Sequence, residues 1–76
     1  EVLIMKSKEE MIKFLNSIGN KSERTKISSI STRFWYTEET TGTIEEILNW
    51  LNSEDNNSKT IKFNISKIEI ERLSKI

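Results

Sequence analysis

Three pairs of adjacent carboxylates, Glu9–Glu10, Glu38–Glu39 and Glu45–Glu46, come nearest in this chain to a catalytic arrangement. General acid–base work needs two carboxyls whose surroundings push their pKa values apart, usually by burying one of them. Neighbouring acids in the first turn of a helix are alike and solvated, so they are expected to complement the helix dipole and not to react. Most other familiar chemistry is excluded by composition. The 76 residues include no histidine, no cysteine, no proline and only two glycines. That removes imidazole proton shuttles, thiolate nucleophiles, soft-metal ligands and glycine-rich phosphate cradles. The single aspartate, Asp55, stands among asparagines with no calcium-loop spacing around it. No catalytic residue, metal ligand or cofactor is expected, and the chain reads as a module that works by contact.

Residues suited to contact are easier to name. Arg33-Phe34-Trp35-Tyr36 alternates bulky aromatics with a base, as on sheet faces that stack nucleic-acid bases and equally as in a half-buried strand. In the second case Phe34 and Tyr36 fill the core, while Arg33 and Trp35 point the other way. Tryptophan and arginine are enriched at interface hot spots, so Arg33 and Trp35 are the first candidates for partner binding. Trp50 is the third. It lies roughly 110° from the centre of its helix's apolar face, where it either packs over an edge of the core or meets a partner.

The elements that must position these residues follow from periodicity. Residues 1–5 form a short apolar run, expected as a strand. Ser7-Lys8-Glu9-Glu10 is a capping box, followed by Met11, Phe14, Leu15 and Ile18 on one helical face, with Gly19-Asn20 closing the helix in the left-handed region. Residues 20–25 are polar and expected as a loop. From Ile27 to Glu38 the period becomes two. Ile30, Thr32, Phe34 and Tyr36 share one face, and with no Gly, Asn or Asp to interrupt it the segment is expected as one long strand.

Thr40-Thr41-Gly42 is the expected turn. Thr43-Ile44-Glu45-Glu46 is a second capping box, and Ile44, Ile47, Leu48 and Leu51 lie on one face of the helix it opens. Residues 53–58 read as a polar loop, and Ile61, Phe63 and Ile65 alternate as a third strand. The tail is either a strand reached through a bulge or a helix opened by a third capping box, Ser66-Lys67-Ile68-Glu69; the helix is preferred. One core of Met11, Phe14, Leu15, Ile18, Ile44, Ile47, Leu48, Leu51, Ile61, Phe63 and Ile65 is expected.

Residues 59–66 followed by 67–76 resemble the strand-then-helix opening of a ribbon-helix-helix DNA-binding protein, over about a quarter of the chain and without that family's second helix. The resemblance implies nucleic acid as an alternative partner.

Size and charge bound the rest. A chain this short buries only ~60% of the surface its unfolded form exposes, so its core is marginal and completion by a second copy, a homo-oligomer, is an expected possibility. The formal net charge is zero, yet residues 1–36 carry seven bases against four acids, residues 37–58 six acids and no base, and residues 59–76 five bases against two acids. No apolar run approaches the ~20 residues of a membrane span. The lack of cysteine suits a reducing compartment, so an intracellular, cytoplasmic location is expected.

The expected architecture is α+β, a single small domain over residues 1–76. Its order is β-α-β-α-β with a C-terminal helix or strand, and the helices cover one face of a small sheet. The expected function is protein binding, as an adaptor or inhibitor of the kind that small intracellular, viral or mobile-element genes encode, through Arg33, Trp35 and Trp50. Zero net charge is the main argument, because non-specific nucleic-acid affinity needs excess base. The alternative is a nucleic-acid-binding regulator using Lys26, Arg33, Lys59, Lys62 and Lys67.

Overall fold

A computed structural model describes residues 3–31, 36–53 and 61–76. Over the described residues the chain is an α+β domain in which three helices accompany a four-stranded antiparallel sheet. In chain order the elements are β1 (Leu3–Lys6), α1 (Lys8–Asn16), β2 (Arg24–Ser31), β3 (Tyr36–Thr43), α2 (Ile44–Ser53), β4 (Ile61–Ser66) and α3 (Lys67–Ser74). The sheet order is β1-β4-β2-β3, with every neighbouring pair antiparallel. The last strand is therefore an inner one, inserted between the first two.

Each helix starts as its capping residues dictate. Ser7 accepts the Glu10 amide at 3.2 Å while Glu10 returns to the Ser7 amide at 3.0 Å. Thr43 and Glu46 repeat the exchange at 3.1 and 2.9 Å. Ser66 accepts the Glu69 amide at 3.0 Å, but the Glu69 carboxylate turns away to Thr25 and Arg72. The third box is thus half of one, and the tail is a helix.

Alternation along the inner strands fixes the two faces of the sheet. Phe63 and Ile65 of β4 are fully buried, as is Ile27 of β2, and they meet Met11, Leu15 and Ile18 from α1 and its C-terminal turn, Ile44, Ile47, Leu48 and Leu51 from α2, and Leu73 from α3. Nine of the eleven expected core residues are in this cluster. Phe14 packs against it half-buried, with the Lys6 ammonium 5.5 Å from its ring centroid. The side chain of Ile61 lies outside the described residues.

The structure corrects the expected single strand over 27–38. Residues 24–31 and 36–43 are two strands, paired from Arg24↔Thr43 to Ser31↔Tyr36. Four residues separate the two strands, so the lack of the Gly, Asn or Asp that a two-residue turn demands did not forbid the reversal. The observed order is consequently β-α-β-β-α-β-α. Thr40-Thr41-Gly42 is not a turn but part of β3, where β-branched threonines suit a strand. Gly42 is buried opposite Thr25, and a Cβ there would stand 3.2 Å from the Glu46 carboxylate.

The face assignment of β2 also changes. Thr25, Ile27 and Ser29 are buried towards the helices, which puts Ile30, half-buried, on the opposite face. At the end of α1 the cap is Ser17 in the right-handed region, and Gly19 is not left-handed. Lys21 instead donates to the Ile18 carbonyl and, at 3.0 Å, to that of Asn16, supplying the cation that helix C-termini favour. The loop expected over residues 20–25 is shorter, since β2 begins at Arg24.

Candidate functional site

The site with the most unusual composition is the sheet face that carries no helices. Directly paired residues on antiparallel strands point to the same side. Asn64 pairs with Met5 of β1 and Ser28 of β2, Ser28 pairs with Glu39 of β3, and Leu3 pairs with Ser66. Ile30 opposite Lys62 and Thr37, Lys26 opposite Thr41, and Arg24 opposite Thr43 also belong to this face. Leu3 and Met5 are 57% and 53% exposed, and Ile68, at the start of α3, is 64% exposed. These are large apolar side chains left in water on a sheet whose other face packs against the helices.

A concavity of about 360 Å³ opens on this face. Leu3 and Ile68 supply apolar wall, Lys26, Glu39 and Ser28 polar wall, and Asn64 its floor. Lys26 and Glu39 form an exposed ion pair at 3.7 Å. Asn64 is only 7% exposed, and its Oδ1 has no hydrogen-bond partner among the described residues.

One end of the face is held by α3. Arg72 donates from Nε to Glu69 Oε1 at 3.0 Å and from Nη2 to Glu69 Oε2 at 2.7 Å. It also pairs with Glu23 and donates to the Arg24 carbonyl at 2.6 Å. The buried Thr25 hydroxyl donates to Glu69 Oε2 at 2.9 Å. The Arg72 guanidinium holds the Glu69 carboxyl below its ordinary pKa, against a smaller opposing effect of burial.

Two of the paired carboxylates, Glu10 and Glu46, cap helices. Glu10 and Glu46 are held below their ordinary pKa first by the backbone amides of Ser7 and Thr43, then by the same residues' hydroxyls. That is the reverse of the raised pKa of a general acid. Glu38 and Glu39, adjacent on a strand, point to opposite faces and form no pair. Among the described residues no three His, Cys, Asp or Glu side chains are grouped to hold a metal ion.

Of the residues expected to bind, Trp50 lies on the helix side, half-buried. Its ring meets Phe63 edge to face, with centroids 5.9 Å apart and planes at 88°. Lys26 and Lys62 fall on the helix-free face, and Lys67 is the exposed first residue of α3. Trp50 is therefore not brought together with the lysines. Arg33, Trp35 and Lys59, with Phe34, lie outside the described residues. Leu3, Met5, Ile68 and Asn64 were not singled out from the sequence. The alternation of residues 61–65 placed Asn64 opposite Phe63, which was the available signal.

The strand of the ribbon-helix-helix resemblance, β4, is an inner strand paired on both sides to β1 and β2. Comparison with protein-family models, curated proteins and solved structures gave no match. Among the described residues no helix is long and apolar enough to cross a membrane.

Proposed function

We propose that this chain is a non-catalytic protein-binding module whose contact surface is the helix-free face of the sheet. The observation that carries the reading is the exposure of Leu3 and Ile68 on the wall of a concavity whose floor holds the buried, unpartnered Asn64 Oδ1, with Met5 exposed on the strand next to Asn64. Apolar side chains grouped on one face and rimmed by polar ones mark protein contact surfaces. The Lys26–Glu39 pair at the rim supplies charges of both signs, which suits orientation of a protein partner. Adaptor or inhibitor action in the cytoplasm is the role that fits a small module of this kind.

The test is affinity capture from lysate of the native cells, with and without nuclease, using the wild-type chain and a Met5→Lys, Ile68→Lys variant. A protein retained after nuclease and lost with the variant supports the reading, provided circular dichroism shows the variant folded. Capture by both forms alike refutes it.

The nucleic-acid alternative draws on the placement of Lys26 and Lys62 on this same face. If it holds, captured material disappears with nuclease, and Lys62→Ala lowers the slope of log affinity against log salt by about one phosphate contact. Lys26 already meets Glu39, which takes one of the face's bases, beside Arg24 and Lys62, from phosphate binding.

A further inference from the structure

We propose that the outer edge of β3 is a further contact, a strand-addition site for an extended segment of another protein that carries two consecutive bases among β-branched residues. The inference rests on the reading of the chain as a protein-binding module but not on the helix-free face, since it concerns backbone groups at the rim of the sheet.

Backbone geometry leaves this edge open. Residues of an antiparallel ladder alternate between pairs that exchange both hydrogen bonds and pairs that exchange none, and the second kind turn their amides and carbonyls outward. At the end of the β2–β3 ladder the Ile44 amide donates to the Glu23 carbonyl at 2.9 Å. That bond flanks the Arg24–Thr43 pair and makes it one of the second kind. The register runs without a break to Ser31–Tyr36, so alternation assigns Lys26–Thr41, Ser28–Glu39 and Ile30–Thr37 to the same kind. The amides and carbonyls of Thr37, Glu39 and Thr41 therefore point away from β2. β3 ends the sheet, and among the described residues no backbone group bonds to them from the open side.

The edge is also unguarded. Natural sheets protect an open edge with a short strand, a bulge, a proline or a lysine. β1, the opposite edge, is four residues long and ends on Lys6. β3 has eight residues in unbroken register, with no proline and no base. Its exposed Thr37 and Thr41 favour extended backbone.

Charge selects the occupant. Glu38 and Glu39, both exposed, are the charged residues of β3, and they put one carboxylate on each face. Among the described residues Glu38 forms no ion pair. Glu39 meets Lys26 at 3.7 Å with both side chains more than half exposed, a screened contact that a base on the added strand can displace. An added strand sets consecutive residues opposite Glu38 and Glu39. Opposite charges directly across a ladder are favourable and like charges are not, so two consecutive bases satisfy both carboxylates while an acidic segment is repelled. Backbone bonds to Thr37, Glu39 and Thr41 supply the affinity, and the bases supply the choice.

The test is to pan a phage-displayed library of random decapeptides on the wild-type chain and to measure the selected peptides on variants. Thr41 has its amide on the open side, so Thr41→Pro spares the ladder to β2 and blocks an added strand. Peptides in which two consecutive bases lie among valine, isoleucine and threonine are expected. Their binding should weaken at least about tenfold in Thr41→Pro, and likewise in Glu38→Lys with Glu39→Lys, with circular dichroism showing both variants folded. On the wild type, hydrogen exchange at the Thr37, Glu39 and Thr41 amides should slow when the peptide binds. If proline unfolds the chain, the charge variant and the exchange pattern decide.

No enrichment overturns the proposal, as does enrichment of acidic or uncharged sequences, or binding indifferent to the edge variants. A doubled mass in sedimentation that Thr41→Pro abolishes puts a second copy on the edge and overturns it too. Peptides lost instead with Met5→Lys, Ile68→Lys belong to the helix-free face, which removes the edge and leaves the contact-face reading standing. Peptides that still bind that variant and fail on the edge variants support the edge, whatever becomes of the face.

Discussion

Replacing Arg72 by methionine keeps most of the aliphatic stem and removes the guanidinium that ties α3 to the start of β2. Three partners lose it: the Glu69 carboxylate, which it grips with two nitrogens, the Glu23 carboxylate and the Arg24 carbonyl. A hydrogen bond to a charged group contributes roughly 1.5–3 kcal/mol when shielded, whereas an exposed ion pair contributes ~0–1 kcal/mol. The Arg72 side chain is 38% exposed, so water screens much of the attraction. The pairing with Glu69 also lies within one helix and does little to dock it. Arg72→Met is therefore expected to destabilise by about 1–2 kcal/mol, which lowers the melting midpoint of a domain this size by about 5–15 °C.

The pH dependence identifies the cause. Glu69 has a folded pKa below its ordinary value because Arg72 hydrogen-bonds the charged form. Its stabilisation is complete above the unfolded pKa and is lost as pH falls through the folded one. The gap between wild type and variant should hold from neutral pH to about 5 and narrow below about 4.5. A gap under about 1 °C at neutral pH would refute the clamp. A gap that persisted undiminished in acid would assign the effect to packing.

Four further outcomes are expected. Leu48→Ala removes a buried leucine of α2 and should cost about 2–5 kcal/mol, read as a urea midpoint that falls or an unfolded spectrum; unchanged melting would mean that α2 presents another face. Thr43→Ala loses the cap at the start of α2 and should cost about 1 kcal/mol, against no change if that helix end is already frayed. Gly42→Ala crowds the Glu46 carboxylate at 3.2 Å and should lower the melting midpoint, most clearly at neutral pH; a neutral or stabilising effect would show that Glu46 swings aside freely. Because Glu10, Glu46 and Glu69 are all held below their ordinary pKa, wild-type stability should be flat at neutral pH and decline below about 4.5, and Glu10→Gln should shallow that decline.

What could be read from the sequence was local. The capping boxes at Ser7 and Thr43 and the apolar stripes behind them depend on contacts within four residues, and both helices start where those residues say. Phe63 and Ile65 declared their face because polar residues separate them. Ile27 did not, because in Thr25-Lys26-Ile27-Ser28-Ser29-Ile30 the apolar residues fall three apart and belong to both faces; pairing with β4 decides between them. The site was hidden for the same reason. Leu3 and Met5 look like core residues of a strand until the sheet order shows that their side bears no helix, and Asn64 stands out only by its surroundings. Glu69 matched a capping box in sequence, and a buried threonine 44 residues away with an arginine one turn on drew its carboxylate elsewhere.

Placing β4 between β1 and β2 has a consequence for how the chain is made. During synthesis β1 emerges before the other described strands, and its ladder partner among them, β4 (Ile61–Ser66), is the last of the four to follow. Until then only the β2–β3 hairpin can form its pairs, while the edges that will receive β4 stand open. The sheet therefore closes in one late event that completes two ladders at once, a topology of distant pairings that folds slowly for its size. A nascent chain stalled before Ile61 exposes two unpaired strand edges and the apolar faces of α1 and α2, which makes it a substrate for chaperones or for aggregation.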